Sequence, residues 1–349
     1  MFSSGSVRQW MRVIRVQNLT RFSTSIQPTK RMPGKPPVLP VVQKTNIPRL
    51  FEVTNLKNET YRANYHGEES EMGDNIYGGL LFAQGLEAAQ LDVGDEYLPT
   101  AYHSLFVSYS YSHLPVDYKV EKLRNGKSFC ARSVKGTQEN GEVVFAAMAN
   151  FSKASEATVQ HTTSMPKVKS PDELVDFFDF CEQNLTAIND GKLQVRPSVK
   201  ANFERRLFDK PHSVLDIRPL NPEQTFMMQK FGVQEPMRYW LKSSVKLGDD
   251  PKLHRQLLCY ISDMYLVGAA VYPHISVGAQ ASLIASLDNT IWFHRYDFRA
   301  DEWLLYETFS PAADSGRGIS HGKIWTRDGT LIASTAQEIL ARFKGNSKL

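Results

Sequence analysis

A carboxylate in the middle of an apolar run is the first residue that could do chemistry. Asp263 lies in Leu257-Leu258-Cys259-Tyr260-Ile261-Ser262-Asp263-Met264-Tyr265-Leu266-Val267, with apolar side chains on every face a helix would present. A buried carboxylate is costly unless it is hydrogen-bonded or takes up a proton. Burial also raises its pKa, which makes it a better general base near neutrality. The competing reading is that Ser262 or Asp263 caps a shorter helix, and the residues alone leave both open. His103, at the start of a β-rich stretch, is a second candidate for an active site, although a lone histidine is more often structural. Gly78-Gly79 precede an apolar segment and allow either close backbone approach to a ligand or tight helix packing. Metal chemistry has little support: His-x-x-x-His and His-Glu-x-x-His are absent, and Cys130, Cys181 and Cys259 are odd in number and widely spaced. The same spacing argues against a disulfide framework and fits a reducing or organellar interior. No cofactor is expected.

The elements that must position Asp263 come as a repeat. In the first half, an apolar helix-like segment from Leu80 to Leu91 is followed by β-rich segments at Tyr102–Tyr111, Val116–Leu123, Ser128–Gly136 and Val143–Phe151. Asn125-Gly126 and Asn140-Gly141 are hairpin signals, because both residue types tolerate positive φ. In the second half, a helix-like run from Leu253 to Val271 precedes strands at Ala281–His294, Trp303–Ser310, Arg317–Thr326 and Thr330–Phe343, with Asp328-Gly329 as the hairpin signal. The segment from Ala154 to about Val199 is polar and reads as a connection carrying one short helix, Asp172–Leu185. The predicted fold class is therefore α+β: a double hotdog, two helix-wrapped antiparallel sheets in one chain that can join edge to edge and protect their open strands. The expected organisation is a basic extension over 1–45, an N-terminal hotdog over 46–153, a linker over 154–200, a C-terminal hotdog over 201–345 and a tail over 346–349.

Three stretches resemble the acyl-CoA thioesterase II family, the double-hotdog enzymes of bacteria and peroxisomes. They are Tyr77-Gly78-Gly79-Leu80-Leu81-Phe82-Ala83-Gln84; Tyr102-His103-Ser104-Leu105-Phe106 with Leu123-Arg124-Asn125-Gly126-Lys127-Ser128-Phe129; and, most specific, Ser262-Asp263-Met264-Tyr265-Leu266 with Ser286-Leu287-Asp288-Asn289-Thr290-Ile291-Trp292-Phe293-His294-Arg295 and Ala333-Ser334-Thr335-Ala336-Gln337-Glu338. The resemblance runs from Asn46 to Phe343 and is weakest across the linker. It implies hydrolysis of fatty acyl-CoA to free acid and CoA without a covalent intermediate, within fatty-acid metabolism. It also implies a water held by Asp263, Ser286 and Gln337, with Asp288 and Thr290 as substitutes if the strand start slips. A thioester carbonyl is electrophilic and a thiolate leaves readily, so a positioned, deprotonated water suffices. Gln337 offers an amide of both polarities, which suits orienting a water or holding an oxyanion. Arg317 and Lys323 are candidates for the phosphates of CoA, although ordinary surface charge is the plainer account of each. Gln84 stands about where Asp263 falls in the second half, so the first hotdog is expected to support structure and the acyl tunnel.

Three rivals remain. Gly318-Ile319-Ser320-His321-Gly322 matches the nucleophile elbow of α/β-hydrolases, but that motif needs a strand–turn–helix, and a hairpin follows here. A hotdog enoyl-CoA hydratase needs an Asp and His pair, and the nearest histidine after Asp263 is His274. A non-catalytic acyl-CoA-binding protein would leave Asp263, Ser286 and Gln337 as unexplained polar groups.

Charge and the two ends bear on compartment and partners. Before Glu52 there are nine basic residues and no acidic one, which leaves 32 basic against 37 acidic in the remainder. The folded part is mildly acidic, so no nucleic-acid surface is expected. The basic, Ser-containing stretch to about Lys44 reads equally as a mitochondrial transit peptide or as a disordered tail. Ser347-Lys348-Leu349 is the tripeptide read by the peroxisomal import receptor, which makes the peroxisomal matrix the first expectation and the mitochondrion the alternative. No apolar run reaches the roughly 20 residues a membrane span needs. Homo-oligomerisation is an expectation by analogy with this architecture. Deleting the last three residues of a tagged chain should turn punctate peroxisomal signal diffuse; undiminished import would overturn the assignment.

Overall fold

The computed structural model describes residues 46–66, 75–139, 141–156 and 158–345. The basic extension, Asn140 of the second hairpin signal and the terminal Ser347-Lys348-Leu349 lie outside the described residues. Among the described residues, no helix is long and apolar enough to cross a membrane.

Among the described residues, thirteen strands form one antiparallel sheet whose two halves repeat the same chain order. The first half runs α1 (Ile47–Phe51), β1 (Thr54–Asn55), β2 (Thr60–Ala63), α2 (Gly78–Val93), β3 (Leu98–Phe106), β4 (Val116–Asn125), β5 (Phe129–Thr137) and β6 (Val143–Ser152). Two helices, α3 (Phe177–Asn189) and α4 (Pro197–Asp209), lie in the connection. The second half runs β7 (Leu215–Pro219), α5 (Pro222–Thr225), β8 (Met237–Ser243), α6 (Pro251–Ser262), α7 (Leu266–Ser276), β9 (Ala281–Ser286), β10 (Asp288–Phe293), β11 (Leu304–Asp314), β12 (Arg317–Thr326) and β13 (Leu331–Phe343). The lateral order is β1-β2-β4-β5-β6-β3-β10-β13-β12-β11-β8-β7, with β9 also pairing β13. The halves meet at β3 and β10, with Tyr102 opposite Ile291 and His103 opposite Thr290. Each half would otherwise leave this edge unpaired, and joining removes it.

The helices lie on the inner face. α2 is apolar nearly all round and buries eleven of its residues, Leu80 to Leu86 among them, as expected for a core helix. It stops at Gly94, whose φ of 85° ends the helix without steric cost. α2 packs along α6 across the junction of the halves, whereas α7 packs on β11 and β12.

Two predicted elements are broken. The expected helix Leu253–Val271 divides into α6 and α7, with Asp263 as the C-cap of α6 and Tyr265 at a left-handed φ of 66°. Such a conformation costs a non-glycine residue about 1 kcal/mol or more, so tertiary contacts must hold it. The expected strand Ala281–His294 divides at Leu287, whose N–H bonds the Glu338 carbonyl at 2.9 Å. Strands β1, β2, β7 and β8 are too short or too weakly flagged by turn residues to stand out in the sequence.

The connection is more structured than its polarity suggests. Before α3 it crosses the outer face of the second half, where Trp240 Nε1 donates to the Lys169 carbonyl (2.9 Å) and Trp325 Nε1 to the Thr163 carbonyl (3.2 Å). Met165, Val168 and Leu174 thereby cover the buried cluster of Trp240, Leu305 and Trp325.

Candidate active site

Asp263 is buried at the break between α6 and α7 and faces two elements at once. From β13, Gln337 Nε2 donates to its Oδ1. From the start of α2, in the other half of the chain, the Gly79 N–H also donates to the carboxylate. The Tyr77 hydroxyl stands between the Tyr260 carbonyl, at 3.2 Å, and the carboxylate, and can give its one proton to either. Burial pushes the Asp263 pKa up to about 6, and the donors from Gln337, Gly79 and Tyr77 hold it from rising further. The result is a carboxylate largely ionised at neutral pH yet basic enough to take a proton.

Gly78 and Gly79 belong to this site and to the packing around it. A Cβ on Gly78 would stand 3.0 Å from Asp263 Oδ2 and 2.8 Å from the Phe106 ring. A Cβ on Gly79 would stand 2.6 Å from the Tyr260 carbonyl oxygen. The two readings of the glycine pair therefore hold together: close packing of α2 on α6 is what delivers the backbone N–H to the carboxylate.

Ser286 ends β9 opposite Ile339. Ile339 shares the buried inner face of β13 with Gln337, two residues before it, and directly paired residues point to the same side of a sheet. Ser286 is thus on the face of Gln337, diagonal to it. Its fallback substitutes are not. Asp288 Oδ1 accepts from the Glu338 N–H at 2.5 Å, and Thr290 Oγ1 lies 3.3 Å from His103 Nδ1 on the outer face.

His103 does not join the site. It is exposed on the outer face, edge-on to Trp292 at 5.5 Å, across the sheet from Asp263. Arg317 is exposed and pairs with Glu338 at 2.9 Å, and Lys323 shares the outer face opposite Ser334. Gln84 is fully satisfied: Nε2 donates to the Leu50 and Tyr65 carbonyls (2.7 and 3.1 Å), and Oε1 accepts from Tyr118 (3.0 Å). The first half thus has a structural amide at this point on α2. Among the described residues, no group of three or more His, Cys, Asp or Glu is placed to hold a metal.

Sequence reasoning missed the groups that hold the break. Asn289 Nδ2 donates to Ser262 Oγ at 2.9 Å, Ser262 Oγ donates to the Cys259 carbonyl at 2.7 Å, and Tyr306 Oη donates to the Ser262 carbonyl at 2.7 Å. Asn289 lay inside a quoted motif, but Tyr306 is an aromatic in a strand, with nothing to set it apart from core.

Fold and site together define a double-hotdog protein with one carboxylate–amide centre at the junction of its halves. Comparison with known proteins agrees. Residues 211–340 match the family described as acyl-CoA thioesterase, and residues 66–152 the acyl-CoA thioesterase N-terminal domain. The chain is 35% identical over 270 residues to acyl-coenzyme A thioesterase 8 of Homo sapiens, covering 77% of this chain and 81% of that one. It is 22% identical over 328 residues to the peroxisomal acyl-coenzyme A thioester hydrolase 1 of Saccharomyces cerevisiae, covering 84% and 93%. The acyl-CoA thioesterase II TesB2 of Mycobacterium marinum superposes with a TM-score of 0.65 at 29% identity, covering 86% and 99%. The chain belongs to the acyl-CoA thioesterase II family.

Proposed function

We propose that this acyl-CoA thioesterase hydrolyses fatty acyl-CoA by a water activated at Asp263, with Ser286 and Gln337 positioning that water. The observation that carries the reading is the buried carboxylate of pKa about 6, held between an amide of the C-terminal sheet and the helix start of the N-terminal half. The water oxygen forms a bond to the thioester carbon as its proton passes to Asp263. The tetrahedral intermediate then collapses, the carbon–sulfur bond breaks, and the CoA thiolate leaves with the proton that Asp263 took from the water, which returns the carboxylate to its ionised form. No covalent acyl-enzyme is required. The peroxisome as its compartment is supported by the name of the yeast relative.

The test follows CoA thiol release from acyl-CoAs of several chain lengths as a function of pH. Asp263 is the base only when ionised, so kcat/KM should stay level above pH about 6 and fall about tenfold per unit below it. An absence of thiol release from every acyl-CoA would sink the reading. A rate still level well below pH 6 would keep the activity and remove Asp263 as its base.

A further inference from the structure

The inner face beside Gln337 carries three buried oxygens with no hydrogen-bond partner: Gln337 Oε1, Ser320 Oγ and Thr308 Oγ1. Ser320 is directly opposite Gln337 in the β12–β13 pair. Thr308 is opposite Gly322 in the β11–β12 pair, two residues along from Ser320. Both belong to the inner set of their strands: Tyr306, two before Thr308, reaches the Ser262 carbonyl, and Gly318, two before Ser320, lies under Ala270 of α7 at 3.0 Å from a built Cβ. Both are wholly buried. Buried hydroxyls ordinarily find a partner, and two orphaned ones beside the reacting groups mark a place that a ligand completes.

We propose that Ser320 and Thr308 form a hydrogen-bonding subsite for the acyl group, selecting chains that carry an oxygen, a hydroxyl or carbonyl, on one of the first carbons beyond the thioester. This rests on reading Asp263 and Gln337 as the catalytic centre. The charged end of CoA must keep its water, so the buried face that carries Ser320, Thr308 and Gln337 is left to the acyl chain. Directly opposed residues hold their Cβ atoms about 5 Å apart, which places Ser320 within a few bonds of a carbonyl carbon held at Gln337. An unsubstituted methylene there leaves both hydroxyls unpaired, whereas a hydroxyl satisfies them, and sites built to pair a substrate hydroxyl discriminate strongly against its absence.

The experiment compares octanoyl-CoA with 3-hydroxyoctanoyl-CoA in the full chain, in Thr308→Val, in Ser320→Val and in the double variant. Removing the hydroxyls should lower the kcat/KM ratio of hydroxylated to plain substrate by about tenfold or more, with kcat/KM for the plain substrate rising. An unchanged ratio, or an equal fall for both substrates, would overturn the subsite; an equal fall would assign the hydroxyls to the water or to the fold. Thermal unfolding checks each variant, and the near-isosteric Thr308→Val decides the matter if the double variant does not fold. Asp263→Asn is measured beside them: if it hydrolyses both substrates the catalytic reading fails, and if it is dead while the ratio holds in the double variant, only the subsite fails.

Discussion

Asp263→Asn should lower kcat/KM for acyl-CoA by about 10³-fold while leaving the protein at least as stable at pH 8. Positioned bases contribute about 10²–10⁴-fold, and Asn keeps the size of the side chain but cannot take the proton. The stability half follows from the raised pKa. The folded carboxyl titrates at about 6, above the ordinary value near 3.9, so the folded state holds the proton more tightly than the unfolded one. The contribution of Asp263 to stability is therefore fullest below about pH 4 and is lost as pH rises through 6. Above that, the ionised Asp263 costs at most about 3 kcal/mol. Asn removes that cost, and Gln337 can turn its amide to match the new donor. The variant should melt at higher temperature than the parent at pH 8, with the gap shrinking at pH 5. A variant that kept a tenth of the activity would exclude Asp263 as base, and one destabilised at pH 8 would mean that its hydrogen bonds outweigh the cost of its charge.

Asp263 was legible because a carboxylate amid apolar residues has few reasons to be there. The rest of the site became visible only through pairing. Gln337 and Ser286 are ordinary strand residues by period, and only the register of β13 against β9 and β12 places them on one face. The repeat of the two halves was readable from apolar segments and hairpin turns, but the breaks at Asp263–Tyr265 and Leu287 were not. The run around Asp263 favours continuing the helix. What overrides it is tertiary: Tyr306 and Asn289 bond Ser262 from strands of the sheet. Likewise His103 sits in a motif on the inner strand pair, yet strand alternation sends it outward while its neighbours Tyr102 and Ser104 go in. Motif membership located the strand, and parity decided which residue faced the chemistry.

Gly79→Ala should cut kcat/KM by about tenfold to a hundredfold, move the acidic limb above pH 6 and destabilise the fold, although Gly79 has no side chain to take part in the chemistry. The added Cβ would stand 2.6 Å from the backbone oxygen of Tyr260 and 2.5 Å from the Tyr77 ring. A ring can turn, but the Tyr260 carbonyl belongs to α6 three residues before Asp263, so α2 and α6 must separate. Overpacking of this kind typically costs about 1–3 kcal/mol. Separation also withdraws the Gly79 N–H from the carboxylate, and losing a donor to the charged form raises the pKa further. Gly78→Ala is the informative neighbour. Its Cβ meets mainly the movable Phe106 ring, at 2.8 Å, and Asp263 Oδ2, at 3.0 Å. It should spare stability more than Gly79→Ala does, yet still depress kcat by crowding the carboxylate. The pair separates two accounts of the N-terminal hotdog. If it only supports the fold, activity should follow melting temperature in both variants and the pH profile should stay in place. If its helix start completes the base, the acidic limb moves in Gly79→Ala even at temperatures where the protein is fully folded.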